Sequence, residues 1–284
     1  MMNANELFMH LKAELTTAYD PGEAAALARE VLFHLTALKI PFSEMEILST
    51  EIKNRADGII MRLKQGEPLQ YITGKALFRN LELLVTPAVL IPRPETAELI
   101  DLIERELDSI PSNIIDLCTG SGCIALALRT VYPQAKITGT DVSLDALQVA
   151  RTNSELLQLP LEFLWMDVLS PEFLIENQTK SDLIVSNPPY ISRQEIHSMH
   201  RNVREFEPHL ALFAPDEDPL IFYRHIAVFA SGTLNPGGML WLEINPLFAD
   251  EISDILRHMQ LQDIRIYEDL SGKDRFISAF AQTS

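Results

Sequence analysis

Asp116-Leu117-Cys118-Thr119-Gly120-Ser121-Gly122-Cys123-Ile124-Ala125 reads as a strand end, a glycine turn and a helix start. The apolar run Asn113 to Leu117 precedes it, and Ile124 to Val131 continues it with helical character. Glycine lets the backbone approach a ligand and open a helix without a Cβ clash. Gly120, Gly122 and Ala125 also satisfy the Gly-x-Gly-x-x-Gly/Ala fingerprint of dinucleotide-binding folds. Asp141 follows at the distance, about 20 residues, where that fingerprint places a ribose-binding acid. This segment alone leaves a nicotinamide dinucleotide and S-adenosyl-L-methionine both open.

Beyond this segment, strands and helices alternate. Lys136 to Thr140 reads as a strand, Ser143 to Leu157 as a helix, and Leu161 to Met166 as a strand. Asp182 to Val185 is a buried strand. Asp218-Pro219 starts a helix, Met239 to Ile244 a strand, and Asn245-Pro246 another helix; two strand-like runs lie near Ile264 and Phe276. This predicts an α/β fold with a mainly parallel sheet covered on both faces. Ligands of such sheets sit at the carboxyl ends of the strands. Asp116, Asp141, Asp167 and Asn187 all fall there.

The fourth of these tips is Ser186-Asn187-Pro188-Pro189-Tyr190. A residue before proline is driven to extended backbone, so Asn187 ends the strand and presents its amide beyond it. The prolines have no N–H to donate, but their carbonyls accept. Tyr190 adds a flat face with a polar tip. The set suits a planar NH2 group, although Asn-Pro-Pro is also an ordinary turn. Three features favour S-adenosylmethionine over a dinucleotide. Asp116 would oppose a pyrophosphate but suits an ammonium, directly or through water. Asp141 has two oxygens for a ribose diol. Met166-Asp167-Val168 offers a carboxylate for an adenine amine, with apolar walls for its ring.

Residues 1–75 read as helices only. Phe8, Leu11 and Leu15 recur at helical spacing, and Leu27, Val31, Leu32 and Leu35 form an apolar face. Asp20-Pro21-Gly22-Glu23 is a helix start, Ser43-Glu44-Met45-Glu46 a capping box for a third helix, and Ile59, Ile60 and Leu63 continue a fourth. This is a small helical domain suited to substrate recognition or positioning. Phe78, Leu81, Leu83 and Val85 form a strand-like segment, Thr86-Pro87 a turn, and Val89-Leu90-Ile91 a further run. A β-hairpin linker over 76–92 is the simplest account. Pro94 and Glu95 open a helix with Leu99, Leu102, Ile103 and Leu107 on one face. The sheet domain covers 93–284.

The chain has 284 residues and a formal net charge of −17. Such acidity opposes a large nucleic-acid footprint and suits a basic protein partner. The N-terminus lacks the pattern of a signal peptide, and no apolar run is long enough to span a bilayer. Cys118 and Cys123 are too few for a tetrahedral zinc site and fit plain packing in a reducing cytosol. No metal is expected. His197 and His200 lack further ligands and belong to a solvated face. Arg201 and Arg204 read as exposed residues. Glu95 either closes over the site or favours a helix N-terminus. Glu243 either lines the pocket or caps a turn.

The chain resembles the peptide chain release factor glutamine methyltransferases, the HemK/PrmC family. The resemblance rests on Pro68 to Gly74, Val89 to Thr96, Asp116 to Leu128, Val185 to Ile191, Phe206-Glu207-Pro208 and Asp269 to Arg275. Ile91-Pro92-Arg93-Pro94-Glu95-Thr96 is the most specific mark, whereas Asn-Pro-Pro-Tyr also occurs in enzymes that methylate amines of DNA and RNA. The resemblance implies a Rossmann-like class I methyltransferase sheet and a cytoplasmic enzyme. It implies transfer of a methyl group from S-adenosylmethionine to the side-chain nitrogen (N5) of the glutamine in the Gly-Gly-Gln loop of release factors. By position, Cys118, Thr119, Gly120, Ser121, Gly122, Asp141, Asp167, Val168 and Asn187 would hold the cofactor. Asn187, Pro188, Pro189 and Tyr190 would hold the glutamine, with Asn187, Pro188 and Tyr190 catalytic. Cys118 stands where the family usually has glycine, and Ala97 and Asn80 replace a common acid and glycine.

In this reading the Asn187 oxygen and the Pro188 carbonyl accept the two amide N–H bonds, aiming the nitrogen at the methyl group, while Tyr190 packs on the amide. The competing functions are an amine methyltransferase acting on adenine or guanine of DNA or RNA, methylation of a ribosomal protein glutamine, a nicotinamide oxidoreductase, and a catalytically silent cofactor-binding adaptor.

Overall fold

The computed structural model describes residues 2–38, 47–107, 109–176, 179–197, 199–215 and 218–282. By its contacts the chain forms two units, Met1–Gly74 with His200–Phe206, and Lys75–Met199 with Glu207–Ser284.

In the first unit, β1 (Met2–Asn3) leads into α1 (Ala4–Leu15), followed by α2 (Pro21–Thr36), β2 (Ile47–Leu48), α3 (Thr50–Lys64) and α4 (Leu69–Thr73). The expected start of α2 is present: the Asp20 side chain accepts from the backbone N–H groups of Gly22 and Glu23, and Pro21 occupies the first turn. Ala4, Leu7, Leu11 and Leu15 are the residues of α1 that reach the core, with Phe8 at its edge. Ser43-Glu44-Met45-Glu46 lies outside the described residues. The helix that carries Ile59, Ile60 and Leu63 is α3, capped by Ser49, whose side chain accepts from Ile52 N–H.

The second unit opens with a hairpin, β3 (Lys75–Phe78) against β4 (Leu81–Leu84), in antiparallel register with Phe78 opposite Leu81. The strand-like segment from Phe78 to Val85 is therefore broken by a two-residue turn at Arg79-Asn80, where Arg79 takes a left-handed φ of 50°. Thr86-Pro87 turns only afterwards, with Val89 N–H bonded to Thr86 O. The hairpin groups with the second unit, where Leu84 exchanges two hydrogen bonds with the Asn153 side chain.

The order continues α5 (Pro94–Glu106), β5 (Asn113–Leu117), α6 (Cys123–Val131), β6 (Lys136–Asp141), α7 (Leu144–Leu156), β7 (Glu162–Trp165), α8 (Pro171–Glu176) and β8 (Ser181–Ser186). Next come α9 (Arg201–Phe206), which belongs by its contacts to the first unit, and α10 (His209–Leu212). The chain closes with α11 (Ile221–Thr233), β9 (Leu234–Glu243), α12 (Ala249–His258), β10 (Gln262–Glu268) and β11 (Asp274–Phe280). The helix foreseen at Asn245-Pro246 begins as a short 3-10 turn, Pro246–Phe248, before α12.

Seven strands form one sheet in the order β10-β11-β9-β8-β5-β6-β7. The five strands from β9 to β7 are parallel, and β11 and β10 add antiparallel. Alternate residues feed two cores. Ile114, Leu183, Val185, Met239 and Trp241 pack with α5, α6 and α7, while Ile115, Leu117, Ile184, Leu240 and Leu242 pack with α11 and α12. Period-two alternation on strands buried on both sides requires this. From β5 the chain winds outward through β6 and β7, then returns to the other side of β5 as β8. Strand order thus reverses at β5/β8, and a crevice opens beyond their carboxyl ends. No described helix is long and apolar enough to cross a membrane.

Candidate active site

The tips of β5, β6, β7 and β8 are stitched together by backbone and side-chain bonds. Thr119 N–H bonds Thr140 O at 2.8 Å, Met166 N–H bonds Asp141 O at 3.0 Å, and Ser186 Oγ donates to Leu117 O at 2.7 Å. Beyond them lies a cavity of about 390 Å³. Of the residues expected to hold a cofactor, Cys118, Thr119, Gly120, Ser121, Asp141, Asp167, Val168 and Asn187 line it. Gly122 is not a wall residue. It caps α6 in a left-handed conformation (φ 81°), and a Cβ there would come within 3.2 Å of Ala150 and 3.3 Å of Phe163. Its place is the joint between loop and helix.

Each acid has a defined position. Asp116 is fully buried and does not line the cavity; its Oδ2 accepts from Thr119 Oγ1 at 2.5 Å and from Ala125 N–H at 3.2 Å. It braces the glycine turn from beneath, and its other oxygen, Oδ1, is buried without a partner among the described residues. Burial raises its pKa to about 7, against the opposing effect of those donors. Asp141 accepts Gly120 N–H through Oδ2 and Ser143 N–H through Oδ1, both at 2.9 Å. Burial raises its pKa as well. Each of its oxygens keeps lone-pair capacity for a ligand. Asp167 accepts Leu169 N–H at 2.9 Å. Apolar walls come from Val142, Met166, Val168 and Leu169.

Cys118 adopts a φ of 61°. This explains why glycine suits the position and shows that the backbone holds a left-handed turn with a side chain present. Burial pushes its thiol pKa up and that of Cys123 to about 12, so both are neutral at physiological pH. Gly120 has a φ of 55° and open space where a Cβ would stand. Gly139, on β6, is required by packing: a Cβ there would meet the Phe163 ring at 2.7 Å and Thr119 Oγ1 at 2.9 Å.

At the β8 tip, Asn187 and Pro189 line the cavity, whereas Pro188 and Tyr190 do not. Asn187 Nδ2 donates to Thr96 Oγ1 at 3.3 Å, and Thr96 Oγ1 donates to Glu243 Oε2 at 2.6 Å. The Tyr190 hydroxyl donates to Glu243 Oε1 at 3.1 Å, so its polar tip is turned to the end of β9. Glu243 is buried, which raises its pKa; Thr96, Tyr190 and Arg275 act the other way. Glu243 neither lines the cavity nor caps a turn; it sits behind the wall and anchors Thr96, which lines the cavity, and Tyr190, which does not.

Three contributors carried no signal of their own in the sequence. Thr96 and Glu207 were visible only as members of the stretches Val89 to Thr96 and Phe206-Glu207-Pro208. Glu207, one per cent exposed at its side chain, accepts from Ile91 N–H at 3.1 Å and pairs with Arg93 at 2.6 Å. It fixes the segment from which Leu90, Pro92 and Arg93 face the cavity. Buried Asn153 donates to Ser121 O at 3.0 Å and so ties the glycine turn to the hairpin. Glu95 makes no described hydrogen bond but bears electrostatically on Glu243. In the first unit, Arg201 pairs with Glu205 at 2.8 Å. Among the described residues no group of three or more His, Cys, Asp or Glu is placed to hold a metal ion.

Residues 96–210 match the family model described as Methyltransferase small domain, and residues 6–74 match that of the PrmC N-terminal domain. The chain is similar to the release factor glutamine methyltransferase of Bacteroides thetaiotaomicron, at 41% identity over 278 residues, 97% of this chain and 99% of that one. It is also similar to the proteins of the same name from Koribacter versatilis, at 36% over 287 residues and 100% of both chains, and Streptococcus pneumoniae, at 36% over 278 residues, 97% and 98%. A solved methyltransferase from Pyrococcus furiosus shares the fold, with a TM-score of 0.54 at 16% identity over 81% of this chain and 99% of that one.

Proposed function

The chain belongs to the release factor glutamine methyltransferase family, and from that premise we propose how its residues carry out the reaction. It is an S-adenosylmethionine-dependent enzyme that methylates a release factor glutamine. The finer reading is that the acceptor is the side-chain nitrogen, N5, of the glutamine in the Gly-Gly-Gln motif. Release factors act in translation, so the enzyme works in the cytoplasm.

The cavity fits the cofactor by its donor set. Asp141 retains acceptor capacity on both oxygens for a ribose diol, and Gly120 leaves open space over its backbone. The Ser121 hydroxyl is buried without a partner among the described residues and sits on a wall residue. Cys118, Thr119, Gly120, Ser121, Asp141, Asp167 and Val168 would hold it, with Met166 and Leu169 as apolar wall. When bound, S-adenosylmethionine supplies a methyl carbon on a cationic sulfur that leaves with the bonding electron pair.

The chain's own residues address the harder half of the chemistry. An amide nitrogen is a poor nucleophile because its lone pair is delocalised into the carbonyl. Asn187 Oδ1, on the cavity wall, accepts an N–H bond of the glutamine amide, which aims the nitrogen and supports the charge that develops on it; Pro188, expected as a second acceptor, is not on that wall. The methylated nitrogen is then acidic enough to release a proton to water. Tyr190 contributes from behind, holding Glu243. The observation that carries this reading is that Asn187 lines the same cavity as the glycine turn, Asp141 and Asp167. Acidity of −17 opposes the nucleic-acid alternative.

The test is incubation with methyl-labelled cofactor and a purified release factor. Label should appear on the intact Gly-Gly-Gln loop and vanish when its glutamine is changed to alanine. Asn187→Ala should lower single-turnover transfer by about 100-fold or more while cofactor affinity stays within about threefold. Near-normal transfer in that variant would overturn the assignment of Asn187.

A further inference from the structure

We infer that Thr96 and Glu243 are positioning residues that set which end of the Asn187 amide faces the substrate. The inference rests on the reading of Asn187 as the acceptor of a glutamine N–H bond. A threonine hydroxyl has one proton. Thr96 gives it to Glu243 Oε2 at 2.6 Å, so toward Asn187, at 3.3 Å, Thr96 can only accept. The amide end that meets Thr96 must therefore be the NH2 group. The carbonyl end, Oδ1, is left for the cavity, and no donor among the described residues reaches it. An inverted amide would set its own NH2 against the NH2 of the substrate, donor against donor.

Glu243 gives the chain of bonds its direction, because an ionised carboxylate accepts and cannot donate. It is held on every side. Tyr190 donates to its Oε1 at 3.1 Å, and the Tyr223 hydroxyl bonds its backbone oxygen at 3.3 Å. Phe276 of β11 lies opposite it in the sheet. The charged and titratable groups that bear on it are Arg275, Glu95, Tyr190, Tyr223 and the Cys123 thiol. Arg275, bonded to Asp269 at 3.1 Å, favours the ionised carboxylate, while Glu95 and burial oppose it. The partners are 147 residues apart in sequence and join Thr96, a wall residue at the start of α5, to Glu243, behind the wall at the end of β9.

Three variants of the 284-residue chain separate orientation from folding. Thr96→Val keeps the shape and removes the hydroxyl; Thr96→Ser keeps the hydroxyl. Glu243→Gln brings an NH2 group that can donate to Thr96 and reverse the chain. The valine and glutamine variants should lose about 10-fold or more in kcat with the cofactor Kd within about twofold, and serine should recover to within about threefold of the unsubstituted enzyme. A second readout needs no substrate. In protein labelled with 15N-asparagine, the Asn187 side-chain NH2 signals, identified by their loss in Asn187→Ala, should shift in Thr96→Val and Glu243→Gln. Normal kcat in Thr96→Val, or Asn187 signals indifferent to both changes, overturns the inference. Shifted signals in a protein that methylates no glutamine would uphold the orientation while rejecting the substrate reading.

Discussion

Asp116 is the residue where position and protonation are most tightly joined. Its carboxyl, with a pKa near 3.8 when unfolded, ionises only at about 7 in the folded chain because burial disfavours the charge. The folded state therefore holds the proton more tightly, and stability falls as pH rises between those two values, then levels off. The shift corresponds to a cost on the order of 4 kcal/mol above pH 7. Melting temperature should be lower at pH 8 than at pH 5, and Asp116→Asn should flatten that difference. Asp141 and Glu243 are raised in the same direction, but they are common to both proteins and cancel in the comparison. An equal pH slope in the variant would show that Asp116 is not the group responsible. Cys118 permits a second comparison. Its φ of 61° costs about 1 kcal/mol for a side chain, which glycine would relieve at the expense of a freer unfolded chain. Cys118→Gly should leave stability within about 1 kcal/mol, whereas the β-branched Cys118→Val should lose about 2 kcal/mol or more in denaturant unfolding.

At the level of elements, the sequence was most readable where a local pattern had one physical solution. Strand runs of alternating destination, a glycine turn before α6, and Asn187 before two prolines each constrain backbone within a few residues. These located the β5, β6 and β8 tips and the acids beyond them. The turn at Arg79-Asn80 was hidden because arginine is no turn residue; the left-handed φ of 50° is imposed by pairing of β3 with β4. The bonds from Thr96 to Glu243, Glu207 to Ile91 and Asn153 to Leu84 span 147, 116 and 69 residues, and no local pattern encodes them. Two consequences can be measured. Gly139→Ala would force the β7 residue Phe163 and Thr119 to move, so it should cost about 2 kcal/mol and weaken cofactor binding through the displaced Thr119–Asp116 bond. Glu207→Ala leaves Arg93 and Ile91 N–H without their acceptor. It should cost about 3 kcal/mol and weaken cofactor affinity, read by calorimetric titration, because the wall from Leu90 to Arg93 loses its anchor.

For the whole molecule, the cores decide how it melts. Leu7, Leu11, Val31, Leu32 and Leu63 close one core within the first unit, while the two cores of the sheet draw only on the second. Every residue lining the cavity belongs to the second unit. A ligand that binds only the folded form of one unit stabilises that unit by mass action, by about 2.7 kcal/mol at one hundred times its Kd. Scanning calorimetry should therefore resolve two transitions, with S-adenosylmethionine raising one and leaving the other in place. Asn187→Ala should preserve that selective shift, since the glycine turn, Asp141 and Asp167 remain to bind. A release factor fragment carrying the Gly-Gly-Gln loop, if the helical unit recognises it, should move the second transition as well. A single transition, raised as a whole by the cofactor, would mean that the two units melt as one.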